Sequence, residues 1–233
     1  MKKKLLLIFL SATIITIFIY RLFHIEKVAL LVIGDGVASG TTNYDIEGYS
    51  FNDYYCDYLQ EKNKFASITR TFTKKGISTK DFLTILSANN EFDLKEEKLT
   101  ILQAIANSNL ITIALGTDEI IANSKLLTKE QIIYNISNNM NQILKKIRAV
   151  SSKTIVIIGL YENNNYKDAI VETINYNYQV LSNKYDCIYI DTSEIINDSK
   201  YFPSNNSHYI NYKGHKVISD SIISAINLDK IRY

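Results

Sequence analysis

Proline occurs once in the 233 residues, cysteine twice and glycine eight times. So thin a supply of turn and linker residues excludes collagen-like and low-complexity segments, and two cysteines cannot build a disulfide scaffold. Cys56 and Cys187 form no CxxC pair, and both lie in apolar settings, where reduced, buried thiols are the ordinary state. No His-rich spacing marks a zinc site. Charge of one sign is lacking too. Lys and Arg number 26 against 24 Asp and Glu, a net charge of +2. Basic residues cluster only in the first four positions, so nucleic acid is not an expected partner. What remains is 46% hydrophobic and 21% charged residues, enough for one well-buried domain and short for two.

The first residues read differently from the rest. "MKKK" precedes an apolar run from Leu5 to Tyr20 that only Ser11, Thr13 and Thr16 interrupt. At about 1.5 Å per residue such a helix spans about 24 Å, short of a hydrocarbon core of about 30 Å but within reach when lysines and Arg21 snorkel outward. "IYRLFHIEK" offers no small residues for a signal-peptide cleavage site, and no cysteine follows to carry a lipid. The expectation is an uncleaved membrane anchor over 1–26 and a globular domain over 27–233. The lysines come first, so the positive-inside rule keeps them in the cytoplasm. The chain is expected at the cell membrane, single-pass, with its C-terminal domain extracytoplasmic.

Within that domain "KVALLVIGD", "LITIALGTD" and "KTIVIIGLY" are continuous apolar runs ending in turn residues, the pattern of parallel strands covered on both faces. "FASITRTFT" and "CIYIDT" are weaker strands. Between them "SFNDYYCDYLQEK", "STKDFLTILSAN", "LTKEQIIYNISNNMNQILKKIRAV" and "YKDAIVETINYNYQVLSNKY" carry apolar residues at helical spacing, and "GHKVISDSIISAINL" closes the chain as a helix. Strand alternating with helix predicts a three-layer α/β/α sandwich around a five-stranded parallel sheet. Ligands of such folds bind beyond the carboxyl ends of the strands. Those ends carry "GDGVASG", "TKKGIST" and "GTDEI", with "SNNSHYINYKGH" before the last helix.

These four segments, in this order and on these elements, resemble the sequence blocks of the SGNH/GDSL hydrolases, serine esterases and acylhydrolases with a flavodoxin-like sandwich. The resemblance covers the chain after residue 27. It aligns Gly34, Asp35 and Gly36 with Gly-Asp-Ser, so Gly36 stands at the nucleophile's position. Gly76 aligns with an oxyanion-hole glycine. "GTDE" sets Asp118, after Gly116 and Thr117, where the family has an oxyanion-binding asparagine. Counting back from Gly214, Asn211 matches a block asparagine, Tyr209 the catalytic histidine and Asn206 the aspartate, with His208 one residue early.

The substitutions bear directly on chemistry. Acyl transfer needs a nucleophile, a base in reach of it and donors aimed at the developing oxyanion. Gly36 has no side chain. An ionised Asp118 accepts where a donor is needed, and a Tyr209 phenol is too weak a base near neutral pH. The leading expectation is therefore a catalytically degenerate esterase homologue, a pseudoenzyme binding an acyl or carbohydrate group of the envelope. The alternative keeps an ester hydrolase for a lipid, glycan or small-molecule ester, using Ser39 or an activated water with His208. A third reading gathers Asp35, Asp118, Glu119 and His208 around a divalent ion, but their spacing is irregular and no cofactor or metal is expected. Asp35 reads first as a turn cap, Ser39 as a helix-cap serine at the start of the following helix. Tyr44, Tyr49, Glu119 and Asn211 are the candidate ligand-binding residues.

Overall fold

The computed structural model describes residues 26–44, 46–94, 97–162, 169–204, 207–228 and 231. The expected membrane segment lies outside them, as does Asn206. Among the described residues no helix is long and apolar enough to cross a membrane.

Five parallel strands form the central sheet: β1 (Val28–Gly34), β2 (Phe65–Thr73), β5 (Leu110–Ala114), β6 (Thr154–Ile158) and β7 (Ile188–Ile190), in the spatial order β2-β1-β5-β6-β7. Its three middle strands are the continuous apolar runs, buried almost throughout because helices cover both faces. Side chains alternate across a strand, so β1 feeds two separate cores. Leu30 and Val32 pack toward α2 (Phe51–Glu61) and the C-terminal helix α9 (Tyr212–Ala225). Leu31 and Ile33 face α3 (Thr79–Ala88), α4 (Ile101–Asn107), α6 (Lys129–Val150) and α7 (Ala169–Lys184).

Helix starts follow local sequence closely. Ser50 with Asp53, Ser78 with Asp81, Thr100 with Gln103 and Thr128 with Gln131 form reciprocal capping boxes at α2, α3, α4 and α6. Each satisfies backbone donors that a helix N-terminus leaves open. Elements absent from the sequence reading are short ones. They are an antiparallel hairpin, β3 (Glu91–Leu94) with β4 (Glu97–Thr100), the helix α4 behind it, the small helices α1 (Gly36–Ser39), α5 (Thr117–Asn123) and α8 (Thr192–Ile195), and a single 3-10 turn over Ser199–Tyr201. Two of these, α1 and α5, begin at the carboxyl ends of β1 and β5 and carry the residues of the candidate site.

Candidate active site

At the end of β1, Asp35 is fully buried and caps α1. Its Oδ1 accepts from Val37 N at 3.0 Å and its Oδ2 from Asp118 N at 3.2 Å, fastening the tip of β1 to the first turn of α5. Burial, and then the negative charge of Asp118, push the Asp35 carboxyl well above the usual carboxylate range.

Because Asp35 takes the cap, the helix starts at Gly36, and the Gly36 amide points to the strand-end rim. It donates to Asp118 Oδ2 at 2.9 Å. Gly76, in the turn after β2, has a left-handed backbone with φ of 80°, a conformation that suits glycine and that aims its amide inward. That amide donates to the same Asp118 Oδ2 at 2.6 Å. The other carboxylate oxygen, Oδ1, accepts from the Tyr209 hydroxyl at 2.8 Å. One buried carboxylate thus collects two backbone amides and a phenol. Burial and the Asp118 charge push the Tyr209 phenol upward from its ordinary pKa, so it serves as a donor and not as a base.

Tyr209 also fills space. A β-carbon built on Gly36 would lie 2.6 Å from Tyr209 Cε1 and 2.7 Å from its hydroxyl oxygen. The ring occupies the volume a side chain at position 36 would need. Tyr161 steadies the segment, its hydroxyl donating to His208 O at 3.1 Å while its ring packs edge-on against Phe202.

The residues read from the sequence thus divide into groups. Asp35, Gly36, Gly76, Asp118 and Tyr209 converge. Ser39 is buried and ends α1 instead of starting the next helix. Its hydroxyl donates to Gly36 O at 3.2 Å and lies 2.8 Å from Thr41 Oγ1. Glu119 is buried but faces away from the group, its Oε2 accepting from Thr79 N at 2.8 Å and Thr79 Oγ1 at 2.7 Å at the start of α3. The side chain of Asn211 is engaged in structure: Oδ1 caps α9 through Lys213 N and Gly214 N, and Nδ2 donates to Lys200 O. Tyr44 and Tyr49 line a separate groove with Asn211 and His215. His215, not singled out from the sequence, sits on the buried stripe of α9 with Ile218 and Ile222. Extending that stripe back by one turn would have reached it. Among the described residues no group of three or more metal-ligating side chains comes together.

No family model and no curated protein sequence matches the chain. Solved structures do. A lipase from a goat-rumen metagenome superposes with a TM-score of 0.65 at 17% identity over 85% of this chain and 97% of its own. A catalytic mutant of an acetylxylan esterase from Geobacillus stearothermophilus gives 0.63 at 14% over 89% and 98%. A psychrotrophic esterase from Pseudoalteromonas gives 0.59 at 15% over 85% and 96%. The fold is that of the SGNH/GDSL hydrolases. In the SGNH/GDSL frame the Gly36 and Gly76 amides are the positions that the sequence resemblance assigns to the nucleophile and the oxyanion hole. Here both turn their N–H groups onto Asp118.

Proposed function

We propose that this SGNH/GDSL-fold domain binds a ligand of the cell envelope and does not hydrolyse esters, and that the Leu5–Tyr20 segment tethers it to the outer face of the cell membrane. The observation that carries the reading is the Asp118 carboxylate on the Gly36 and Gly76 amides. An oxyanion hole works because its donors are free to meet charge that develops in the transition state. Here a resident carboxylate already holds them, and its own charge opposes a second anion. Gly36 brings no nucleophile, and in a serine hydrolase the loss of that one group costs about a million-fold in turnover. The Ser39 hydroxyl, the substitute nucleophile, is turned to Gly36 O and Thr41. The fold relatives are named as a lipase and esterases, one of them acting on acetylxylan. An acyl or sugar group is accordingly the ligand class favoured for this chain.

The test is hydrolysis of short-chain aryl esters by the full-length protein in detergent, with and without divalent metal. The reading expects no rate above buffer. Turnover that Ser39→Ala abolishes would replace it with a rebuilt esterase, and turnover that a chelator abolishes would replace it with a metal-dependent one.

A further inference from the structure

Tyr44, Tyr49 and Tyr212 stand around one groove of about 390 Å³ between the loop over 40–49 and the segment leading into α9. They are 86%, 49% and 65% exposed, so all three present open ring surface at the same groove. The groove is built, not incidental. The Tyr44 loop is closed by Thr42 N to Ile46 O at 2.9 Å, by Gly48 N to Gly40 O at 3.0 Å and by an isolated antiparallel pairing of Thr41 with Glu47. Across the groove the Ser207 hydroxyl donates to Asn43 Oδ1 at 2.6 Å, fastening that loop to the opposite wall. Tyr49 is held by its hydroxyl, which donates to Asp57 Oδ2 at 2.6 Å, and by an edge-on contact with Tyr54.

The polar lining comes from neutral side chains, Thr42, Asn43, Ser204 and Asn211, and among the described residues no Asp, Glu, Lys or Arg lines the groove. His215 forms part of its wall at 3% exposure, with Nδ1 lacking a hydrogen-bond partner and the ring stacked on Phe51. Burial pulls its pKa down to about 4, so the imidazole is neutral near pH 7.

This chemistry discriminates among ligands. A charged ligand would shed hydration against these neutral groups, the nearby charges standing behind the tyrosines, with Lys213 Nζ 5.9 Å from the Tyr212 ring centroid and Asp57 holding the Tyr49 hydroxyl. An acyl chain would cover the Asn43 amide N–H groups and the Ser204 hydroxyl without offering them a partner. A pyranose meets both demands, since its C–H face packs on the electron-rich face of a tyrosine while its hydroxyls exchange hydrogen bonds with amides and hydroxyls. The volume lies in the range of small-ligand sites, about 300–1,000 Å³.

We infer that this groove binds an uncharged oligosaccharide segment, with the Tyr44 and Tyr49 rings as stacking platforms and Asn43 and Ser204 meeting the sugar hydroxyls. The inference rests on the binding role proposed above and names the ligand class. Its place is the groove, which none of Gly36, Gly76, Asp118 or Tyr209 lines.

Calorimetry of the full-length protein in detergent, titrated with cellotetraose and with chitotetraose, tests it. Neither sugar carries an ester, so binding is read independently of hydrolysis. At least one should bind with a saturating heat, and Tyr44→Ala and Asn43→Ala should each weaken it by about threefold to tenfold. Tyr134→Ala, an exposed tyrosine on α6 outside the groove, should leave affinity unchanged. If neither sugar binds, or if binding survives both groove substitutions intact, the inference falls. Acetate released from acetylated cellotetraose, with binding intact, would instead overturn only the non-hydrolytic reading.

Discussion

The Tyr209 ring stands where a side chain on residue 36 would have to be: a β-carbon on Gly36 would come within 2.6 Å of Tyr209 Cε1. Real β-carbons essentially never approach another atom so closely, so the two positions are mutually dependent. Glycine at 36 is what lets tyrosine at 209 reach Asp118.

Gly36→Ser should therefore destabilise the protein. Forcing atoms into a filled interior costs about 1–3 kcal/mol, and here the yielding group is a ring held by a buried hydrogen bond. Urea denaturation should show a lower midpoint for Gly36→Ser and recovery on adding Tyr209→Ala. The single variant should show little or no esterase activity. Gly36→Ser, Asp118→Asn, Tyr209→His together should do better, because residues acting as a unit are strongly non-additive. A Gly36→Ser protein as stable as the parent would mean that the ring moves away freely.

A second prediction concerns Arg148 near the end of α6. Its guanidinium donates to Tyr185 O at 2.7 Å, Lys153 O at 2.6 Å, Asp186 O at 2.9 Å and Ser151 O at 3.3 Å. One planar side chain thus satisfies backbone carbonyls at the entrances of both β6 and β7. Charged hydrogen bonds contribute about 1.5–3 kcal/mol each at most, and this guanidinium is only partly buried. Arg148→Met is expected to cost about 2–3 kcal/mol, read as a lower denaturation midpoint at unchanged slope. Lysine should rescue little, because an ammonium cannot span the same carbonyls.

Much of the fold was legible because its strands are long, apolar and bounded by turns. The five strands of the sheet fall within the runs named from the sequence, from "KVALLVIGD" to "CIYIDT". The hairpin over Glu91–Thr100 was not legible, since each strand has four residues and the stretch "EFDLKEEKLT" is dominated by charge. At the site, block order placed Gly36, Gly76 and Asp118 at one rim, with the loop that carries Tyr209 across from them. It indicated the wrong charge for an oxyanion hole, but not that the Asp118 carboxylate would rest on both amides, which depends on how α5 leaves β5. Glu119 shows the converse. It follows Asp118 directly in sequence, yet one helical step turns it about 100° away, toward Thr79.

His215 sets a pH dependence. In the unfolded chain a histidine titrates near 6.5, whereas burial lowers the folded value to about 4. Between those two values the unfolded state binds the proton and the folded state does not, so stability falls as pH drops from about 6.5 to about 4. The loss amounts to about 3 kcal/mol at most. Thermal midpoints across this window should slope downward toward acid, and His215→Leu should flatten that slope. The Asp35 carboxyl, raised by burial and Asp118, acts in the opposite sense, because its folded form holds the proton more tightly than the unfolded chain does. An acid-side slope identical in His215→Leu and the parent would assign the effect to other groups.

The last prediction removes the carboxylate itself. Asp118→Ala leaves the buried Gly36 amide and Tyr209 hydroxyl, and the Gly76 amide nearer the surface, without their common acceptor. The two buried donors cost about 1–3 kcal/mol each before relaxation, water can reach the Gly76 amide, and relief of repulsion at Asp35 offsets a part. A net loss of about 2–4 kcal/mol is expected. The vacated space is bounded by three donors aimed at the two oxygen positions of one carboxylate and is close in shape to the group removed, so a small carboxylate from solution should enter it. Added acetate should raise the thermal midpoint of Asp118→Ala well beyond any effect on the parent, while chloride at equal ionic strength and neutral acetamide should do less. The increment should grow with the logarithm of acetate concentration, as expected for a ligand that binds only the folded state. Equal shifts in the variant and the parent would show that the three donors do not form a preorganised anion site once Asp118 is gone.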